Sequence, residues 1–348
     1  MEAEKLIKEL TELRGISGSE KKVADAVCEI VRPLCDEVYQ NKLGSVVAIK
    51  HCGIENAKKV MIDAHIDEIG LMVTDIDKKG FVSFTEIGGT DMKTLLASVV
   101  TIHGQDEDVT GIIGSIPPHL ARKEDETIKT DKLAIDTGLT YDVLKEKIEI
   151  GDPITFDYET ITMGNCMAGK TMDDRASVAA MILCLSKLQN TKLNVDVYMV
   201  GAVQEEVGLR GAITAAYEIN PDLAIAIDVC HAITPDNSDN AFEMGKGIVL
   251  TMGPNIHTGV YDHLVKTAKD YNVPYQIEAC GGDTGTDAWG IQIAQNGIPT
   301  ALLSLPLKYM HSSVETLAIS DVKSTARLLE FALKEMSESL EEVFSCKE

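Results

Sequence analysis

Apolar residues recur at helical spacing between positions 19 and 34, where Val23, Val27, Ile30, Val31 and Leu34 mark one face. Ser17 followed by Glu20 has the spacing of a capping box, so the pattern predicts a helix from about Ser19 to Leu34. Two short runs rich in β-branched residues follow, SVVAIKH and KVMIDAHID, and suit paired strands. From Gly70 to about Asn165 the texture changes to brief alternating segments, GFVSFTEI, SVVTIH, GIIGSI and DPITFDY, broken by Lys79-Gly80, Gly88-Gly89 and Pro117-Pro118. Short strands with frequent turns predict a small β-barrel or sandwich.

Beyond it the elements lengthen. An apolar helix over 174–188 precedes the strand VDVYMVGAV, a short helix after Gly208 and the strand LAIAIDV. The alternation continues through a helix near 257–271, the strand PYQIEA, a helix near 287–296, the strand PTALLSL and a closing helix after Ser320. Such alternation predicts an α/β fold with a mainly parallel central sheet and helices on both faces. The chain divides into the first part of an α/β domain at 1–67, a β-rich, barrel-like insertion at 68–165, and the second part of the α/β domain at 166–348. A length of 348 residues suits one large domain with a smaller one.

Composition removes several classes. With 45% hydrophobic and 25% charged residues, the chain is neither disordered nor fibrous. A formal charge of −23 would repel phosphate backbones, so neither nucleic acid nor an anionic membrane is expected as a partner. The segment MEAEKLIKEL lacks the apolar core of a signal peptide, and no apolar stretch is long enough to span a bilayer. Eight cysteines without a CxxC pair read as free thiols in a reducing compartment, and a cytoplasmic protein is expected.

Six polar residues stand out against this background: His65, Asp173, Glu206, Asp228 and His311, with Glu205 beside them. Nearly all sit where an apolar run stops. Strands of an open α/β sheet aim their carboxyl ends at the ligand crevice, so such residues can converge although far apart in the chain. In the His65-x-Asp67 pair a neutral imidazole can bind a metal while the carboxylate accepts its other ring proton. Alone, that pair reads more simply as a surface histidine near an aspartate, and Asp173-Asp174 as charge favoured at a helix start. Glu205-Glu206 and Asp228, however, follow buried strands. Three carboxylates and two histidines balance two divalent cations to within about one unit of charge, with one carboxylate bridging.

The motifs AHIDEIG (64–70), KTMDDR (170–175), VQEEVGLRGA (203–212), AIDV (226–229) and the late histidine of KYMHSSVE together resemble the tetrahedral aminopeptidases. That family includes glutamyl and deblocking aminopeptidases and some chains labelled endoglucanase, and the resemblance runs over essentially the full length in the same order. It implies a dinuclear metallo-aminopeptidase acting on short peptides. His65 and Asp228 would complete one metal site, Glu206 and His311 the other, and Asp173 would bridge them. Glu205 would be the general base, taking a proton from water acidified by the cations, and Asp67 the orienter of His65. A cis peptide is expected at Asp173-Asp174. The cations would be zinc or cobalt, with manganese also suited to carboxylate and imidazole ligands. The β-rich insertion would serve dimerisation within a homo-oligomer of twelve subunits. The preferred amino-terminal residue stays open, because acidic, aliphatic and basic preferences all occur among such enzymes.

Other readings compete. GNCMAGKT at 164–171 matches a phosphate-binding loop, but Asp173 and Asp174 would place two carboxylates beside the anion. A glycoside hydrolase would use paired carboxylates without metal, although adjacent residues rarely flank a sugar bond. A non-enzymatic metal-binding protein would not require Glu205 beside Glu206. The stretch CGGDTGTDA links a strand to a helix on the metal side, making Gly281, Gly282, Asp283 and Thr284 candidate substrate contacts. It reads equally as a structural turn. Cys230, His231, His51, His103, His119, His257 and His263 are expected to be packing or surface groups, and Lys170 either a loop lysine or a partner for nearby carboxylates.

Overall fold

A computed structural model describes residues 2–115, 119 and 133–343; Pro117, Pro118 and Cys346 lie outside the described residues. Helices α1 (Ala3–Thr11) and α2 (Lys21–Val31) precede strands β1 (Glu37–Gln40), β2 (Val46–Lys50) and β3 (Lys58–His65). Strands β4 (Gly70–Ile76), β5 (Phe81–Ile87), β6 (Val99–His103), β7 (Asp108–Ile113), β8 (Ile135–Asp136) and β9 (Pro153–Phe156) follow, with short helices α3 (Met92–Leu95) and α4 (Tyr141–Leu144) between them. Next come β10 (Ile161–Met163), β11 (Cys166–Gly169), α5 (Met172–Leu188), β12 (Val195–Ala202), α6 (Arg210–Ile219) and β13 (Leu223–His231). The remainder is β14 (Ile248–Met252), α7 (Thr258–Asp270), β15 (Tyr275–Ala279), α8 (Asp287–Ile291), β16 (Thr300–Lys308), β17 (Glu315–Ala318) and α9 (Ile319–Val343).

One large sheet runs in the order β1-β2-β12-β3-β13-β16-β17-β11-β10, with β14 joined to β16 and β15 to β14. Its centre, β12-β3-β13-β16, is parallel, and antiparallel strands flank it. Central strands such as LAIAID and TALLSL are continuous apolar runs because both of their faces are covered. One face packs Leu6 of α1, Val27 of α2, Met181 of α5 and Leu329 of α9; the other packs Ala215 of α6 and Ile291 of α8. Helix α5 lies buried along almost its whole length, which is why its sequence is apolar all round. Strands β4-β5-β8-β7-β6-β9 close into a barrel with its own core, including Leu71, Val100, Ile113 and Ile154.

Two local expectations change. The helix expected from Ser19 begins at Lys21, because the Ser17 hydroxyl donates to Asp67 (2.6 Å) and Glu20 accepts the N–H groups of Gly18 and Gln204. Helix α8 stops at Ile291, where the Gln292 amide donates to the Asn255 carbonyl and Gln295 takes a left-handed backbone. The segment 164–171 is no phosphate loop. Residues Cys166–Gly169 form β11, paired antiparallel to β17, and Lys170 is buried with its ammonium 2.6 Å from Glu68. Among the described residues no helix is long and apolar enough to cross a membrane.

Lys170 belongs to a buried network that fixes the base of the site. The Glu68 carboxylate accepts from Lys170 (2.6 Å), the Gly15 N–H (2.7 Å) and Arg175 (3.2 Å). Arg175, itself fully buried, also donates to the carbonyls of Ile66 (2.9 Å) and Leu10 (3.0 Å). Burial raises the Glu68 pKa, but attraction to Lys170 and Arg175 outweighs it and holds the carboxyl below its ordinary value. Burial pulls the Lys170 ammonium down while Glu68 pulls it up, and their close contact keeps the pair ionised.

Replacing Lys170 by Met leaves Glu68 buried without one of its counter-charges, so denaturant melts should show a loss of about 3 kcal/mol or more. Because the folded pKa of Glu68 is lowered, its contribution is present above the ordinary carboxylate range and is lost as pH falls through the lowered value. Acid melts should record that loss, and it should be smaller in Glu68→Gln.

Candidate active site

Four neighbouring parallel strands deliver the site from one end. His65 is the last residue of β3, Glu205 and Glu206 lie just past β12, Asp228 is near the end of β13, and His311 follows β16. Asp173 and Asp174 open α5 against them. Together with Gly89, the carboxylates Asp173, Glu205, Glu206 and Asp228 and both histidines line a cavity of about 510 Å³.

Asp173 sits between the two imidazoles. Its Oδ1 is 3.1 Å from His65 Nε2, and its Oδ2 is 3.4 Å from His311 Nε2. Glu206 Oε1 lies 3.5 Å from His311 Nε2, and Glu205 Oε2 lies 3.9 Å from His65 Nε2. Ligand atoms of His65, Asp173 and Glu206 come within 4.8 Å of one another, as do those of His65, Asp174 and Asp228. The peptide between Asp173 and Asp174 is cis.

Each imidazole is held from behind. Asp67 Oδ1 is 3.4 Å from His65 Nδ1, and the same carboxylate accepts the N–H groups of Glu205 (3.0 Å) and Glu206 (3.2 Å) and the Ser17 hydroxyl. His65 Nε2 is thereby turned to the cavity. His311 Nδ1 bonds the Gly89 carbonyl at 2.6 Å, which frees its Nε2 in the same way. A Cβ on Gly89 would sit 3.0 Å from that nitrogen, a tight contact that glycine avoids. Glu315 accepts the N–H groups of Asp173 (3.0 Å) and His311 (2.8 Å), tying the two residues together.

Protein charges alone leave this cluster out of balance. Burial pushes Glu205 up to about 10, opposed by His65 and reinforced by Asp228, Asp287 and Glu206. Burial and repulsion from Asp173 raise Glu206 and Asp228 to about 7 each. Contact with Asp173 raises His311 to about 10. Burial opposes ionisation of Asp173, but hydrogen bonds from His311 and His65 hold it well below the usual range. Carboxyls forced to keep protons beside imidazoles forced to stay charged are a donor set that divalent cations would deprotonate and bind. Oxygen and imidazole donors in this mixture fit zinc, cobalt or manganese.

The family profile described as M42 glutamyl aminopeptidase matches residues 44–328. The chain belongs to the M42 glutamyl aminopeptidase family. It is 37% identical to the lysyl aminopeptidase of Pyrococcus furiosus over 341 residues, covering 95% of this chain and 96% of that one. An aminopeptidase structure from Desulfurococcus kamchatkensis superposes with a TM-score of 0.91 at 36% identity, over 99% and 98% of the two chains. The Pyrococcus horikoshii TET1 peptidase superposes at 0.85 with 28% identity, over 96% and 99%. This M42 chain is a metal-dependent aminopeptidase, a hydrolase of peptide bonds, and the glycosidase reading is not favoured.

In the M42 chain the structure brings together His65, Asp67, Asp173, Glu205, Glu206, Asp228 and His311. Of the CGGDTGTDA residues, Thr284 lines the cavity together with Gly285 and Thr286. Gly281, Gly282 and Asp283 do not line it. Asp283 accepts the Gly285 N–H (2.8 Å), and the Cys280 thiol donates to the carbonyls of Gly282 and Asp283. Cys230 and His231, expected to be packing or surface groups, line the cavity. His103 is a buried partner of Asp108 and Thr155. Sequence reasoning missed Asp174, Glu315 and Gly89. Asp174 is fully buried with both carboxylate oxygens unpartnered, and its only signal was its place beside Asp173.

Asp67 orients His65 without reaching the cavity-facing nitrogen. Asp67→Asn should therefore weaken metal affinity about 10- to 100-fold, measured by titration of metal-stripped protein with zinc or cobalt.

Proposed function

We propose that the chain removes single residues from the amino termini of short peptides at a two-cation centre, with Glu205 as general base. The carrying observation is Asp173, whose two oxygens face two different imidazoles. His65 and Asp228 would hold one ion, His311 and Glu206 the other, and Asp173 both. When bound, the ions would polarise the scissile carbonyl and lower the pKa of water from 15.7 towards about 7.

The remaining steps fall to the protein. Glu205 stands at the cavity wall 3.9 Å from His65 Nε2, with its N–H anchored on Asp67, so its carboxylate is positioned without being the bridging group. It would accept the proton of the attacking water and deliver it to the departing amine. The acidic lining favours the free amino group of a peptide end over internal peptide, which supports an exopeptidase.

The remaining parts of the reading concern assembly and location. The Pyrococcus horikoshii TET1 peptidase is described as assembling into a tetrahedron or a large octahedral shell. That supports a homo-oligomer here, a dodecamer with the insertion at 68–165 as its dimerisation unit. Seven free cysteines among the described residues support a cytoplasmic location.

Chelation should abolish hydrolysis of aminoacyl substrates, and added zinc or cobalt should restore it. Glu205→Gln should keep metal binding within a few-fold while lowering kcat by about 10²- to 10⁴-fold; near-normal turnover would refute its role as base. Analytical ultracentrifugation should give a mass many times the 37.7 kDa chain.

A further inference from the structure

The cavity extends well beyond the residues that face the two imidazoles, and its far wall is chemically one-sided. Strand register carries one face of the sheet from Asp228 to Ser304 on β16, then to Val249 on β14 and, two residues along, to Thr251, whose partner on β15 is Glu278. Asp228, Ser304 and Glu278 all line the cavity. Glu278 lies three strand spacings from Asp228, about 14 Å sideways. That is too far for it to share an ion with Asp228. The buried Thr251 hydroxyl donates to Glu278 Oε2 at 2.7 Å and fixes the carboxylate at the wall.

Charge and shape agree. Among the described residues no lysine or arginine lines the cavity, so an acidic substrate side chain would meet no counter-charge from them. Leu302 and Met310 line the same cavity and give it apolar surface. Such a wall fits a side chain with an aliphatic stem and a cationic end. We propose that Glu278 is a specificity-determining residue that selects amino-terminal lysine and arginine. The assignment rests on the aminopeptidase reading above and deepens it. A substrate anchored by its amino group at the centre would lay its first side chain across Ser304 and Leu302 towards Glu278. Leucine would fill the near part and leave Glu278 without a counter-charge, and glutamate would be repelled. The overall charge of −23 would also draw cationic peptides to the mouth.

The test is a panel of Lys-, Arg-, Leu- and Glu-p-nitroanilides with the metal-loaded enzyme. The expected kcat/KM is about tenfold or more higher for Lys and Arg than for Leu, and lowest for Glu. Glu278→Gln should lower the Lys-to-Leu ratio about tenfold, and Glu278→Lys should bring the Glu substrate above the Lys substrate. Ratios taken within one preparation do not depend on how much of a variant folds. Calorimetric binding of lysinamide against leucinamide makes the same comparison without turnover, and the preference should again shrink in Glu278→Gln. A Lys-to-Leu ratio unchanged by Glu278→Gln, or a native preference for Leu or Glu, overturns the assignment and leaves the aminopeptidase reading standing. Failure to hydrolyse any member of the panel overturns both.

Discussion

Negative charge gathered where water cannot dilute it governs this molecule. The parallel centre of the sheet sends Glu205, Glu206 and Asp228 to one end, α5 adds Asp173 and Asp174, and burial then sets them against one another. Asp63 and Asp287, both buried beneath the cavity, extend the conflict inward: burial pushes Asp63 up to about 7 and Asp287 well above its ordinary value. An apolar core could not tolerate so many ionised groups. The arrangement makes physical sense around positive charge, carried by His65 and His311 when they are protonated and by cations where these bind the neutral imidazoles instead.

Two adjacent residues divide the work of holding that charge in place. Asp67 turns towards the site, where one carboxylate gathers His65, two backbone N–H groups and Ser17. Glu68 turns away, where it ties Lys170 and Arg175 to the loop after α1. A strand exit naturally sends successive side chains to opposite sides, so one short segment can brace His65 and anchor the brace. Burial on both sides makes both networks rigid.

Much of this was legible in the chain because the signals were local. An apolar run that ends in His65, or in Gln204-Glu205-Glu206, announces a buried strand delivering polar groups, and the long apolar stretch of α5 announces a covered helix. The barrel was visible in its alternation. What stayed hidden depended on distant partners. Ser17 and Glu20 have capping spacing, yet Asp67, fifty positions on, takes the hydroxyl. Glu315 and Gly89 carry no local mark of contact with His311. Strands β1, β11, β14 and β17 were not read from the chain, although β2, β6, β9 and β15, equally short, were; brevity made such runs easy to miss. Thr284 was legible as part of a loop on the right side, but which of its neighbours turn inward was set by the Cys280 and Asp283 turn bonds.

Gly89 follows β5, a barrel strand, yet its carbonyl holds an imidazole that belongs to the large sheet. The catalytic centre is therefore not self-contained. The orientation of the His311 ring thus depends on where the barrel places Gly89. The candidate site and the barrel therefore share the Gly89 peptide oxygen.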